Sequence, residues 1–281
     1  MALFVYRRPQ LARRALASIR RYQPPRLYVV ADGARHPSEA AACLESQRLV
    51  EEVDWPCSVR RDFSDAHLGC GQRIASGVSW VLEHEHSAIF LEEDCVADPS
   101  FFPYCEELLG RFECQENVMM ITGFNLLGSW QIHNASYSFS HLGSSWGWAT
   151  WRRAWRHFDA ILTSWRKHLG TLEEIRKLLG DDQIFAERVR LFDAVAASRL
   201  DSWAVPWNLA CLRRGACCAV PSVNLIANFG FGPDSTHHKH ASDPNSGVPV
   251  SRLSFPLKHP EAIVVDHDLD RRWHRRACGL D

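Results

Sequence analysis

The sequence predicts an α/β fold, with a doubly wound, mostly parallel central sheet flanked by helices. Three observations carry this expectation. Short apolar runs alternate with segments of helical periodicity through the first third of the chain, the pattern of parallel strands joined by crossover helices. The 281 residues are 46% hydrophobic and 11% aromatic, enough to build one large core or two intimately fused halves. No Pro/Gly/Ser linker divides the chain, so its later part should pack against the first.

Residues 2–6 form the first predicted strand. Pro9 sits where a helix can begin, and Ala12, Ala15, Leu16 and Ile19 follow on one side at helical spacing. Pro24-Pro25 stops that helix. Leu27 to Ala31 is the second strand, and Asp32-Gly33 turns the chain at its carboxyl end. The rhythm repeats with a helix around 38–53, a strand around 57–63, a helix around 71–84 and a strand at 88–92. After Pro99, Phe101 to Phe112 reads as a helix and Val118 to Thr122 as a fifth strand. Five such strands suit a Rossmann-like half, whose ligands collect beyond the strand carboxyl ends.

Past Gly123 the texture changes. Tryptophans crowd in at 130, 146, 148, 151, 155, 165, 203 and 207, and residues 228–251 are rich in Gly, Pro, Asp, Ser and His, as in a long loop. No internal repeat or low-complexity tract occurs.

Lysine plus arginine (32) nearly balance aspartate plus glutamate (33), which argues against nucleic acid as a partner. The ten cysteines are dispersed without a C-x-x-C pair, so they read as reduced and mostly buried. No leader peptide and no long apolar span is evident, making the cytoplasm the expected location. Arginine doublets at 13–14, 20–21, 152–153, 271–272 and 275–276 allow a peripheral contact with anionic lipid at the inner membrane face, or simply a solvated helix surface.

The sharpest chemical feature is Ala88-Ile89-Phe90-Leu91 running into Glu92-Glu93-Asp94. An apolar strand thereby delivers three carboxylates to the rim where such sheets bind ligands. A divalent ion bridging Asp94 to a diphosphate is one reading; an acidic loop before the next helix is the other. Asp32 is a candidate for a base or ribose contact, or a plain Asp-Gly turn. Arg8 offers a planar fork to phosphate oxygens. His67 to Arg73 is a glycine-rich turn before a helix, where backbone N–H groups can face an anion. His237, His238 and His240 could lend one ligand to a metal. Ser145 to Trp151 mixes core packing with a possible carbohydrate platform, Trp146 and Trp148 being the candidate acceptor contacts.

Taken together, these residues form a recognisable pattern. Phe90-Leu91-Glu92-Glu93-Asp94 through Pro99-Ser100-Phe101-Phe102 resembles the metal-binding segment of GT-A glycosyltransferases, in particular the inverting N-acetylglucosaminyltransferase I family. The likeness extends to Arg8, Asp32, Gly147-Trp148 and Asn228-Phe229-Gly230 leading to His237. The chain is also similar to bacterial family-2-type glycosyltransferases, through Tyr6-Arg7-Arg8-Pro9 and Asp234-Ser235-Thr236-His237.

The resemblance covers roughly residues 1 to 240. It implies a GT-A nucleotide-diphospho-sugar transferase fold, with residues 1–124 as the nucleotide-sugar-binding half and 125–235 as an acceptor-binding half fused to it. Residues 236–281 would be a loop and C-terminal tail. It further implies a metal-dependent transferase moving a sugar, most naturally from a UDP-sugar, to a glycan or lipid-linked acceptor in bacterial surface-polysaccharide assembly. Asp94 and His237 would hold Mn²⁺ or Mg²⁺, while Arg8, Asp32, Arg73, Glu92 and Glu93 would contact the donor.

One departure matters. Where related enzymes carry a Trp-Asp element, this chain has Ser202-Trp203-Ala204-Val205. Asp201 is the substitute base, with Asp181 and Asp182 as alternatives; a base is needed because the acceptor hydroxyl must lose its proton. The missing element also allows a silent nucleotide-sugar- or glycan-binding module. A nucleotidyltransferase is disfavoured, since Tyr6-Arg7-Arg8-Pro9 is not the glycine- and lysine-rich loop it would need.

Overall fold

The computed structural model describes residues 1–131, 134–160, 162, 165–166, 169–232, 243 and 245–280, with only the backbone described at 169–171. The first half follows the sequence closely. β1 (Ala2–Val5), β2 (Arg26–Ala31), β3 (Ser58–Phe63) and β4 (Ser87–Glu92) alternate with α1 (Pro9–Tyr22), α2 (Ala40–Gln47) and α3 (Cys70–His84). Pro9 occupies the first turn of α1, where its missing N–H is no loss. Ala12, Ala15, Leu16 and Ile19 are buried on one face, and Gln23 ends the helix in the left-handed conformation.

An eight-stranded sheet has the order β3-β2-β1-β4-β8-β6-β9-β7, where β6 is Val118–Thr122, β7 Tyr137–Ser140, β8 Trp148–Trp151 and β9 Cys217–Pro221. The β3-β2-β1-β4 portion is wholly parallel, as in a doubly wound half. Beyond β4 the expectation of a mostly parallel sheet is only partly met. β8 lies antiparallel between β4 and β6, and β7 runs antiparallel at the edge beside β9. Four residues, all buried, make up β8; a run that short shows no clear alternation from which a strand could be recognised.

The sheet therefore crosses residue 124, taking three strands from the tryptophan-rich part. Most of those tryptophans are core. Trp148 stacks between Phe90 and Trp203 at ring separations of 4.8 and 4.9 Å, with Trp155 and Trp207 adjoining. After β8 come α5 (Arg152–Trp155), α6 (Leu169–Leu179), α7 (Asp182–Ala196) and α8 (Ala204–Arg213).

The segment read as loop and tail contains α9 (His267–Ala277), begun by Asp266 accepting from the Asp268 and Leu269 N–H groups. Buried Leu269 and Trp273, one turn apart, hold it against the fold. All ten cysteines are free, and six are buried. No described helix is long and apolar enough to cross a membrane. Arg13, Arg20 and Arg271 of the arginine doublets already pair with carboxylates of the chain, and Arg14 stacks over the Phe229 ring at 3.6 Å.

Candidate functional site

Parallel pairing of β1 with β4 sets Phe4 beside Glu92, so Arg8, just past β1, and the acidic triplet emerge at the same sheet edge. The chain turns through Glu93-Asp94 into β5 (Cys95–Ala97), which pairs antiparallel with β10 (Ile226–Asn228). The triplet is thus fixed between the large sheet and a two-stranded ribbon.

Arg8 binds two of the three carboxylates: Nε donates to Glu93, and Nη2 donates to Asp94 Oδ2 at 2.8 Å. Glu93, 4% exposed, also accepts from the Tyr6 backbone N–H. Burial pushes the Glu93 carboxyl above its ordinary range, against the pull of Arg8. Burial by itself would lower Arg8, but Asp94 and Glu93 carry it above its ordinary value. The Glu92 carboxyl accepts no hydrogen bond among the described residues; burial first, then the Asp94 charge, pushes it up to about 8.

Two cavities meet here. The first, about 610 Å³, is walled by Tyr6, Arg8, Asp32, His67, Arg73 and Glu93, among others. The second, about 530 Å³, has Asp94, Phe124, Trp146, Arg188 and Trp273 in its wall. Arg8, Cys70, Glu92 and Leu200 border both. Each is in the size range of a small-molecule site.

Asp32 lines the first cavity with its oxygens already engaged. It accepts from the N–H groups of Gly33, Leu68 and Gly69, and His67 Nδ1 lies 2.9 Å away. The glycine-rich turn, where Gly69 takes φ +84°, therefore faces anions supplied by the protein itself. Gly71 N–H completes this arrangement by donating to Asp201 Oδ1 at 3.0 Å. Asp201 is exposed and borders the first cavity.

Arg73 also lines that cavity, with its guanidinium committed to the Ala31 and Asp62 carbonyls, the Asp62 carboxylate and Ser76. Trp146 faces the second cavity, whereas Trp148, 1% exposed, lines neither. Asp181 caps α7 and Asp182 pairs with Arg176 on the surface. His237, with Asp234 to Thr236 and the other loop histidines, lies outside the described residues.

Several wall residues carried no chemical signal of their own in the sequence, Tyr6 and Gly230 entering only through the family likeness. Tyr6 stacks on His67 with ring centres 5.2 Å apart and donates to Glu39 at 2.6 Å. Gly230 packs on Asp94, and Phe229 N–H donates to the Asp94 carbonyl; only the family likeness of Asn228-Phe229-Gly230 drew attention there. Arg188 was missed because helical periodicity alone does not tell which neighbour each face meets.

Among the described residues no three His, Cys, Asp or Glu side chains converge to hold a metal. Glu92 and Asp94 nevertheless crowd two carboxylates at the cavity junction, where a cation would relieve their repulsion. Mg²⁺-type ions commonly bind through one or two carboxylates with substrate phosphates completing the shell. The donor set suits that mode and not an all-protein cage.

No protein-family model matches the chain, and no curated protein does. Among solved structures it is similar to the galactosyltransferase LgtC, crystallised with donor and acceptor sugar analogues, at 12% identity and a TM-score of 0.38, with 99% of this chain and 95% of that one covered. An active-site mutant of LgtC gives 12% identity and 0.39 over the same shares. Likeness this loose establishes neither a shared fold nor a shared activity.

Proposed function

We propose that the chain is a metal-dependent glycosyltransferase. It would move a sugar from a nucleotide-diphosphate donor, a UDP-sugar, to an acceptor hydroxyl with inversion, in bacterial glycan or surface-polysaccharide assembly. One observation carries the reading: an Arg8-braced Glu93-Asp94 pair stands at a strand carboxyl end where two ligand-sized cavities join.

On this reading the nucleotide occupies the first cavity and the acceptor the second, with C1 of the sugar at their junction. Asp94, with oxygens of the donor's diphosphate, would hold Mn²⁺ or Mg²⁺, which supplies Lewis-acid neutralisation of the leaving group. Arg8 orients Asp94 and adds positive charge beside the diphosphate. The acceptor oxygen bonds to C1 as the C1–O bond to the diphosphate breaks, its electron pair leaving with the diphosphate. Asp201, in the wall of the first cavity next to Leu200, which borders both, is the candidate for taking the acceptor proton at the junction.

The test is a thermal-shift and nucleotide-release screen against UDP-, GDP- and dTDP-sugars with and without Mn²⁺. A metal-dependent shift with one donor, abolished by Asp94→Ala, supports the proposal. Donor turnover untouched by Asp94→Ala sinks it. A silent binding module is the second reading, favoured by the commitment of Asp201 to the Gly71 N–H. Donor binding without transfer or hydrolysis would select it.

A further inference from the structure

Arg188 is a cation with no hydrogen-bonded or ion-paired partner among the described residues. It lies on α7 in the wall of the second cavity, which Trp273 of α9 also lines. Its Nε is sealed from solvent and has no hydrogen-bond partner among those residues. The two acids whose charges act on it are committed elsewhere. Glu187 takes Arg190 through two bonds of 2.7 and 2.8 Å, and Asp270 accepts from the Ser140 hydroxyl and the His141 N–H.

Burial pulls Arg188 below the ordinary arginine value, with Glu187 the first of the groups opposing it. A guanidinium nonetheless stays charged in proteins. Leaving such a group partly desolvated and unpaired is destabilising, so the position makes chemical sense when an anion arrives from outside. The same wall carries a second unmatched atom: Asn208 Oδ1 is buried without a donor among the described residues. Trp146, Trp273 and Phe124 provide aromatic surface between them.

We propose that Arg188 anchors an anionic acceptor: a sugar carrying a carboxylate or phosphate, whose paired oxygens meet the guanidinium fork. The aromatic wall takes the C–H faces of the ring, and Asn208 receives a hydroxyl. The inference rests on the transferase reading in placing the acceptor in the second cavity.

The experiment titrates the full chain, loaded with UDP and Mn²⁺, with the methyl glycosides of glucuronic acid, glucose 6-phosphate and glucose, by calorimetry. A charged sugar should bind about tenfold or more tighter than glucose. Arg188→Gln should erase that preference while leaving UDP affinity unchanged. Which charged sugar wins separates carboxylate from phosphate. Failure of UDP to bind removes the transferase reading itself. UDP binding without preference for either charged sugar, or a preference surviving in Arg188→Gln, removes only the anchor. Stability gives an independent check: Arg188→Gln should melt at the wild-type temperature or above. A variant that melts several degrees lower, or fails to fold, would mark Arg188 as a structural cation and overturn the proposal.

Discussion

Gly230 lies so close to Asp94 that a Cβ built on it would sit 2.0 Å from Asp94 Oδ2. The same oxygen accepts from Arg8 at 2.8 Å, so the absence of a side chain at 230 is part of what holds the carboxylate on Arg8. Gly230→Ala should swing Asp94 away and break that pair. Donor turnover is expected to fall by roughly two orders of magnitude, as ångström-scale misplacement commonly causes. Melting temperature should change little, since the site is at a loop. Turnover within twofold of wild type would contradict this account.

The pairing of Arg8 with Glu93 should appear in stability. Arg8→Ala leaves a 4%-exposed carboxylate without its cation, a loss of about 3–5 kcal/mol. Adding Glu93→Gln should recover much of that loss, because the uncompensated charge goes with it. Denaturant melts of both single variants and the double variant measure the coupling. Additive losses would refute it.

Asp201 has a structural task that must be separated from any catalytic one. Its carboxylate accepts the Gly71 N–H at the start of α3, and an amide oxygen can do the same. Asp201→Asn should therefore keep stability within about 0.5 kcal/mol of wild type, while Asp201→Ala should cost about 1 kcal/mol as a lost cap. If Asp201 is the base, transfer in Asp201→Asn falls by about two to four orders of magnitude with donor affinity intact. Transfer at the wild-type rate would remove it from that role.

Asp270 and His141 give opposing pH dependences. Burial raises Asp270 from 3.8 to about 6, so its contribution is fully present below 3.8 and is lost as pH rises through about 6. Burial lowers His141 from 6.5 to about 4, so its contribution is present above 6.5 and is lost as pH falls toward 4. The two slopes offset one another over much of this window. Asp270→Asn removes the first alone. The variant should then lose stability on acidification below about pH 6 by about 1.4 kcal/mol per unit more steeply than wild type. Parallel profiles in melts from pH 7 to pH 5 would contradict the opposition.

The β3-β2-β1-β4 framework was legible because β1, β2 and β4 are compact apolar runs closed by Pro, Gly or charged residues, while the charged β3 follows from its place in the strand–helix rhythm. Glu92 to Asp94 stood out for the same reason: three acids directly after a buried strand can only lie at its tip. Later elements were less legible. β7, β8 and β9 are fully buried stretches of only four or five residues, too short for a periodicity to stand out from the segments around them. Trp146 and Trp148 show the limit closely. Two residues apart in one motif, they divide between cavity wall and core, because Gly147 between them takes φ +61° and breaks the extended path that would have put both side chains on one face.

The sequence by itself determined the α/β class, the order of the first four strands' carboxyl ends and the acids gathered at one of them, since these depend on local hydrophobic patterning. Tertiary structure alone decided which charges are spent and which remain free. Arg73 is consumed by Ala31 and Asp62, Asp32 by the turn at Leu68 and Gly69, and Asp201 by Gly71, while Arg188 is left in a cavity wall without a partner among the described residues. Whether a polar group is satisfied depends on neighbours dozens of residues away in the chain, brought near only by packing.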